Sequence, residues 1–453
     1  MKTKYILLQS IKFILLFVFP LLLGSQVGTQ SLPEGYTAQN MQVIGYSDLN
    51  NRPAFKLSIK EVNGRWYLYT GHTYHSGWTI LDVTEPAKPE VVKFIEGPAN
   101  TWTLQMELHD TIMITALEKI FPNFGGNKKP FTEGVYIWSL KDALNPKLLG
   151  HYKTGGNGTH RNFYNGGKYI HLAAGMPGFK GNIYVIVDIS NPSQPKEVSR
   201  WWVPGQKNTE KEHHYVEGNN NTAAPTLHPS HVFCGSDAEV SLHGPPYVID
   251  TLAFLPYGAA GMIILNIKDI KKPKQIGRLD FSPPFHDRFG VHGVLPVMNK
   301  KLAYVNSEDV SYGKGPLPHA SIIDISDLTK PKLLSILPRP LDENGVDFRQ
   351  KPGWSGPHNL NHLQHNPAVQ KQDSLLYLTY FNAGLRVFNV AHPEQPREVG
   401  YFMPPPPAKR FGPMPEGELV LQTEDVLVDR RGYIYISNKN QGVWILKMGD
   451  KTE

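Results

Sequence analysis

One pattern recurs seven times along the chain: a small residue, a β-branched strand, a polar break, a proline, and a second short strand. It opens at Gly77-Trp-Thr-Ile-Leu-Asp-Val83 and returns at Gly134–Leu140, Asn182–Ile189, Gly261–Ile267, Ala320–Ile325, Gly384–Val390 and Gly442–Met448. Repeats of this length are units that cannot bury an apolar face alone and must stack on their neighbours. Earlier strands precede several of them, as in Lys168–Ala173, Leu302–Asn306, Leu375–Tyr380 and Tyr433–Ser437. The prolines fall between strands, where a missing N–H breaks no ladder. Four short strands per unit predict an all-β fold, a seven-bladed β-propeller, with no helix of useful length.

The two ends predict how the ring closes. The seventh unit stops after its third strand, and Val43-Ile44-Gly45-Tyr46 echoes Val399-Gly400-Tyr401, the outer strand of the sixth unit. An N-terminal strand paired into the last blade would close the ring and remove an exposed edge. The strands also resemble the LVIVD-type repeat, which implies architecture rather than chemistry.

Residues 1–25 read as a secretory signal peptide: Lys2 and Lys4, an apolar run from Phe13 to Leu23, then Gly24-Ser25. That apolar run is shorter than the roughly 20 residues a membrane span needs. The expectation is a secreted chain in which residues 26–453 form a single domain. With one Cys in 453 residues there is no internal disulfide framework, and a net charge of +6 favours anionic partners.

Three features suggest chemistry. Successive units start 47 to 80 residues apart, and the longest carries a polar excursion from about Pro204 to His243 with His213, His214, Tyr215, His228, His231, Cys234 and His243. Long insertions on a rigid scaffold are disproportionately functional. The residues opening the innermost strands align as Trp102, His160, His243, His292, His358 and Glu424, which predicts imidazoles converging in the central channel. The third feature is the Gly-rich turn Thr154–Thr159, flanked by His151 and by His160-Arg161-Asn162, with Tyr164 and His171 following. Gly-rich turns let a ligand approach the backbone.

Imidazoles and a thiolate suit zinc, and His231, Cys234, His243 and His292 are the expected ligands of a structural zinc ion. His, Tyr and Arg together suit elimination from a uronic acid, in which the carboxylate is neutralised and a base removes the C5 proton. A hydrolase would need two flanking carboxylic acids, and no such pair stands out.

With seven blades, a His-rich inner rim, a Gly-rich turn between histidines and one Cys in a His-rich loop, the chain resembles secreted ulvan lyases of the propeller type. That resemblance implies β-elimination on sulfated rhamnose–uronate polysaccharides, a catalytic His pair with a Tyr and an Arg, and a supporting zinc ion. Carried onto this sequence, it implies catalytic roles for His151, His160, His171 and Tyr215, and substrate contacts from Arg161, Tyr164, Arg278 and His358, with Arg200 a rival for the neutralising arginine. The implied partner is an acidic sulfated polysaccharide bound by a monomer, with no nucleic acid and no membrane span. Two other classes stay open: a metal-dependent oxygenase or oxidase with a four-His centre of His160, His243, His292 and His358, and a non-catalytic binding scaffold.

Overall fold

The computed structural model describes residues 32–210, 240–281, 289–314 and 317–449. The expected signal peptide at 1–25, and Tyr215, His231 and Cys234 of the polar excursion, lie outside the described residues.

The chain is an all-β propeller. Its first unit pairs Leu57–Val62, Arg65–Gly71, Gly77–Asp82 and Glu90–Glu96 in that order, all antiparallel. Two further four-stranded sheets repeat this order, one from Tyr247–Ile249 to Lys274–Leu279 and one from Gly293–Val297 to Lys332–Ile336. A nine-stranded path holds two more such runs, Met106–His109 to Lys147–Tyr152 and Gly158–Phe163 to Lys196–Trp201, joined where Gly158 pairs with Glu118. The repeated motif is the third strand of its sheet in every unit but the sixth, where Leu375–Tyr380 is the first strand and Gly384–Asn389 the second.

The N-terminal segment closes the ring as its sequence predicts. Met41–Ser47 pairs antiparallel with Val443–Met448, placing Gly45 opposite Ile445 and Tyr46 opposite Trp444. Just before it, Thr37–Gln39 adds an outer strand to Arg397–Met403 of the preceding unit. Asn40 turns between the two strands at φ 52° and donates from Nδ2 to the Val399 carbonyl at 2.7 Å. One short segment therefore ties two neighbouring sheets together. Thr423–Val428 in turn packs beside Leu57–Val62, so the last unit meets the first.

The core lies between sheets, where β-branched and aromatic residues of the second and third strands are buried; Tyr184, Phe254, Ile264 and Trp444 are fully covered. Among the described residues no helix is long and apolar enough to cross a membrane.

Candidate metal centre in the channel

His243, His292 and His358 stand at equivalent places, just ahead of their unit's innermost stretch. Each backbone N–H bonds to a neighbouring strand, at Pro256, Asn306 and Thr379 respectively. His160 reaches the same level differently. It sits inside Gly158–Phe163, where the pairing register with Tyr169–Gly175 shifts between Thr159 and Arg161. A bulge of this kind re-aims a side chain. A second register shift, between Thr423 and Val426, spans Glu424 and Asp425.

The structure brings the four imidazoles together. Ring centroids are 4.6 Å apart for His160 and His243, 5.2 Å for His243 and His292, and 4.9 Å for His292 and His358. All four side chains are buried. Glu308 enters the same space from the turn after Leu302–Asn306. Its carboxylate lies 2.9 Å from His243 Nε2, 3.8 Å from His292 Nε2 and 3.7 Å from His358 Nε2. His243, His292 and Glu308 offer ligand atoms all within 4.8 Å of one another.

The outer nitrogens fix the tautomers. His292 Nδ1 lies 2.9 Å from the His358 carbonyl, and His358 Nδ1 lies 2.6 Å from the Glu424 carbonyl. A carbonyl only accepts, so both Nδ1 atoms carry the proton and both Nε2 lone pairs face the channel. His160 Nδ1 lies 2.8 Å from the Glu118 carboxylate, and its Nε2 is buried without a hydrogen-bond partner. Imidazoles held from behind by oxygen are what metal-ligating histidines show. Burial drives His292 and His358 well below the ordinary imidazole range, so both are neutral and able to ligate. The residues fit a divalent first-row ion.

Charged groups surround this set. Arg161, buried, donates from Nη2 to His292 Nε2 at 2.9 Å. Lys439 pairs with Glu424 at 2.7 Å, and Lys56 with Asp425 at 3.2 Å. Aromatic rings pack on the histidines: Phe289 at 4.3 Å from His243, and Phe381 stacked at 4.5 Å on His358. Trp354, Val310 and Met414 extend that apolar wall. Trp102, aligned with the histidines in sequence, belongs to a neighbouring cluster with Phe121 and Phe124.

The other expected site residues are dispersed, which corrects the grouping drawn from the Gly-rich turn. His151 is on an outer strand, with Nε2 2.7 Å from the Glu133 carbonyl. His171 is on a second strand and packs inside the sheet against Tyr184, Nδ1 to hydroxyl 2.7 Å. Tyr164 donates from its hydroxyl to the Gly167 carbonyl. Arg278, on an outer strand, donates to the Ala260 carbonyl and faces Asp280. The physical reason is radial position: only innermost segments line the channel, whereas His151, His171 and Arg278 belong to strands further out.

Similarity to known proteins extends to the fold. The LVIVD repeat matches residues 167–202, the second to fourth strands of one unit. The β-propeller domain of Cps50 (Swd1) from Myceliophteria thermophila is similar in structure, with a TM-score of 0.51 at 10% identity, covering 91% of this chain and 100% of that one. A functionally unknown protein from Desulfotomaculum acetoxidans matches with a TM-score of 0.45 at 11% identity, over 77% of this chain and 84% of that one. The computationally designed Ika8 protein matches with a TM-score of 0.46 at 8% identity, over 89% of this chain and 99% of its own. No curated protein matches the chain by sequence.

Proposed function

We propose that the chain is a metal-dependent oxygenase or oxidase built on the four-histidine centre. One observation carries this reading: three buried imidazoles, His160, His292 and His358, are each held at Nδ1 by an oxygen, with Glu308 close to two of their Nε2 atoms. Imidazole ligation suits iron and copper as well as zinc. A redox-active ion there would supply electron transfer or dioxygen activation. Glu118 orients His160, and Glu308 supplies negative charge or a proton acceptor. The wall of Phe289, Trp354 and Phe381 keeps water from the centre and favours an apolar or aromatic substrate over a polyanion.

Elemental analysis of protein purified from metal-replete medium tests this. Stoichiometric iron or copper, lost in His292→Ala and His358→Ala, is the expected result. Zinc alone, with no oxygen consumption, would remove the redox assignment and leave the zinc ion expected from the sequence; absence of any metal would remove the centre.

A polysaccharide lyase reading draws on a different observation. His160 keeps an unpartnered Nε2 backed by Glu118, and Arg161 is its neighbour in sequence. In that role His160 abstracts the C5 proton of a uronate and Arg161 neutralises the carboxylate. Growth of unsaturated-uronate absorbance on ulvan is its signature. Flat absorbance on ulvan and other acidic polysaccharides would dismiss it.

A further inference from the structure

We infer that the protein holds a second divalent-cation site, built by Glu107, His109 and His365 with His362 beside them. None of these residues belongs to the four-histidine set. Glu107 and His109 are two apart on the strand Met106–His109, so both side chains leave it on one face. His362 and His365 come from the loop between the innermost stretch of the sixth unit and Leu375–Tyr380.

Their side chains adjoin one another. Glu107 Oε2 lies 3.8 Å from His365 Nε2. The His109 ring stacks on that of His365, centroids 6.2 Å apart. Both ring nitrogens of His365 are buried and without a hydrogen-bond partner, and its side chain is only 10% exposed. His362 donates from Nε2 to the Val294 carbonyl at 2.9 Å, which leaves the lone pair on Nδ1, also buried and unpartnered. A buried imidazole with neither nitrogen satisfied is uncommon and points to a missing partner. Glu107 accepts from the Tyr164 backbone N–H at 2.8 Å, which fixes its carboxylate.

His109 places one edge of the site near the surface: it is partly exposed and lies 3.1 Å from Asp110. Gly166 makes room for that imidazole. A Cβ on Gly166 would stand 2.8 Å from the His109 Nδ1 and Cε1 atoms, and its φ of 98° further disfavours a side chain. Two imidazoles and one carboxylate suit zinc and its first-row neighbours.

Zinc titration of the chelator-stripped full chain tests the inference independently of the four-histidine centre. Wild type is expected to bind two ions, with His365→Ala and Glu107→Gln each losing one and His292→Ala losing the other. Circular dichroism and melting temperature establish that each variant is folded. A single ion lost in His365→Ala but kept in His292→Ala supports this site and removes the four-histidine centre. A single ion kept in His365→Ala, or two ions kept in both His365→Ala and Glu107→Gln, overturns the second site.

Discussion

The Nδ1 atom of His160 lies 2.8 Å from Oε2 of Glu118, and both side chains are buried in the channel. This contact joins the two runs of the nine-stranded sheet and leaves Nε2 of His160 free. Carboxylates behind ligating imidazoles commonly set metal affinity by about 10–100-fold. Glu118→Gln is therefore expected to weaken the bound ion by a factor in that range while the protein stays folded. Competition with a chelator of known affinity, alongside circular dichroism, checks both parts.

Arg161 supplies a less intuitive prediction. Its guanidinium donates to the His292 lone pair that an ion would take, and it adds a buried positive charge beside the cation. Arg161→Met removes both competitors, so metal binding is expected to tighten in the same chelator assay. A lyase using Arg161 to neutralise a uronate would instead lose its elimination activity in this variant. The two readings separate on one substitution.

Ring closure should carry measurable stability. Trp444 is fully buried, packs 4.6 Å from Tyr46 across the N-terminal seam and lies 5.3 Å from Phe402 of the neighbouring sheet. Trp444→Ala is expected to cost about 3–5 kcal/mol. Denaturant unfolding gives the value, and a loss below about 1 kcal/mol would mean that the seam contributes little.

His171 predicts an acid-labile fold. Burial lowers its pKa from 6.5 to about 3, so the unfolded chain takes up a proton near pH 6.5 that the folded chain refuses until far lower. The unfolded state thus binds more protons between those values, and stability falls as pH drops from 6.5 towards 3. His171→Gln should make this limb less steep while leaving Tyr184 a partner, with the other buried histidines, His292 and His358 among them, supplying the rest of the slope. Unfolding free energies across that pH range in both proteins decide it.

Much of the architecture was legible because it rests on local periodicity. The recurring strand marks one strand in each of the seven units, the third of its sheet in all but the sixth, and the Val43–Tyr46 echo marks the closing strand. His160, His243, His292 and His358 were legible too, since equivalent places in successive units face one axis. Glu308 and Glu118 were not singled out. They sit at or beyond the ends of second strands, in Ser307-Glu308-Asp309 and Leu117-Glu118-Lys119, where a charged residue ordinarily faces solvent. Only the ring's curvature turns these strand ends inward. The grouping around the Gly-rich turn failed for the converse reason. His151, His160 and His171 are close in sequence, but an antiparallel sheet carries consecutive strands outward, away from the axis.

The proposed chemistry requires one metal ion among the four histidines. Anomalous X-ray diffraction from crystals of the metal-loaded protein locates it directly. The expected result is a peak within coordination distance of the Nε2 atoms of His160, His292 and His358, next to His243 and Glu308. Crystals from metal-replete protein with no anomalous density among those imidazoles would contradict it.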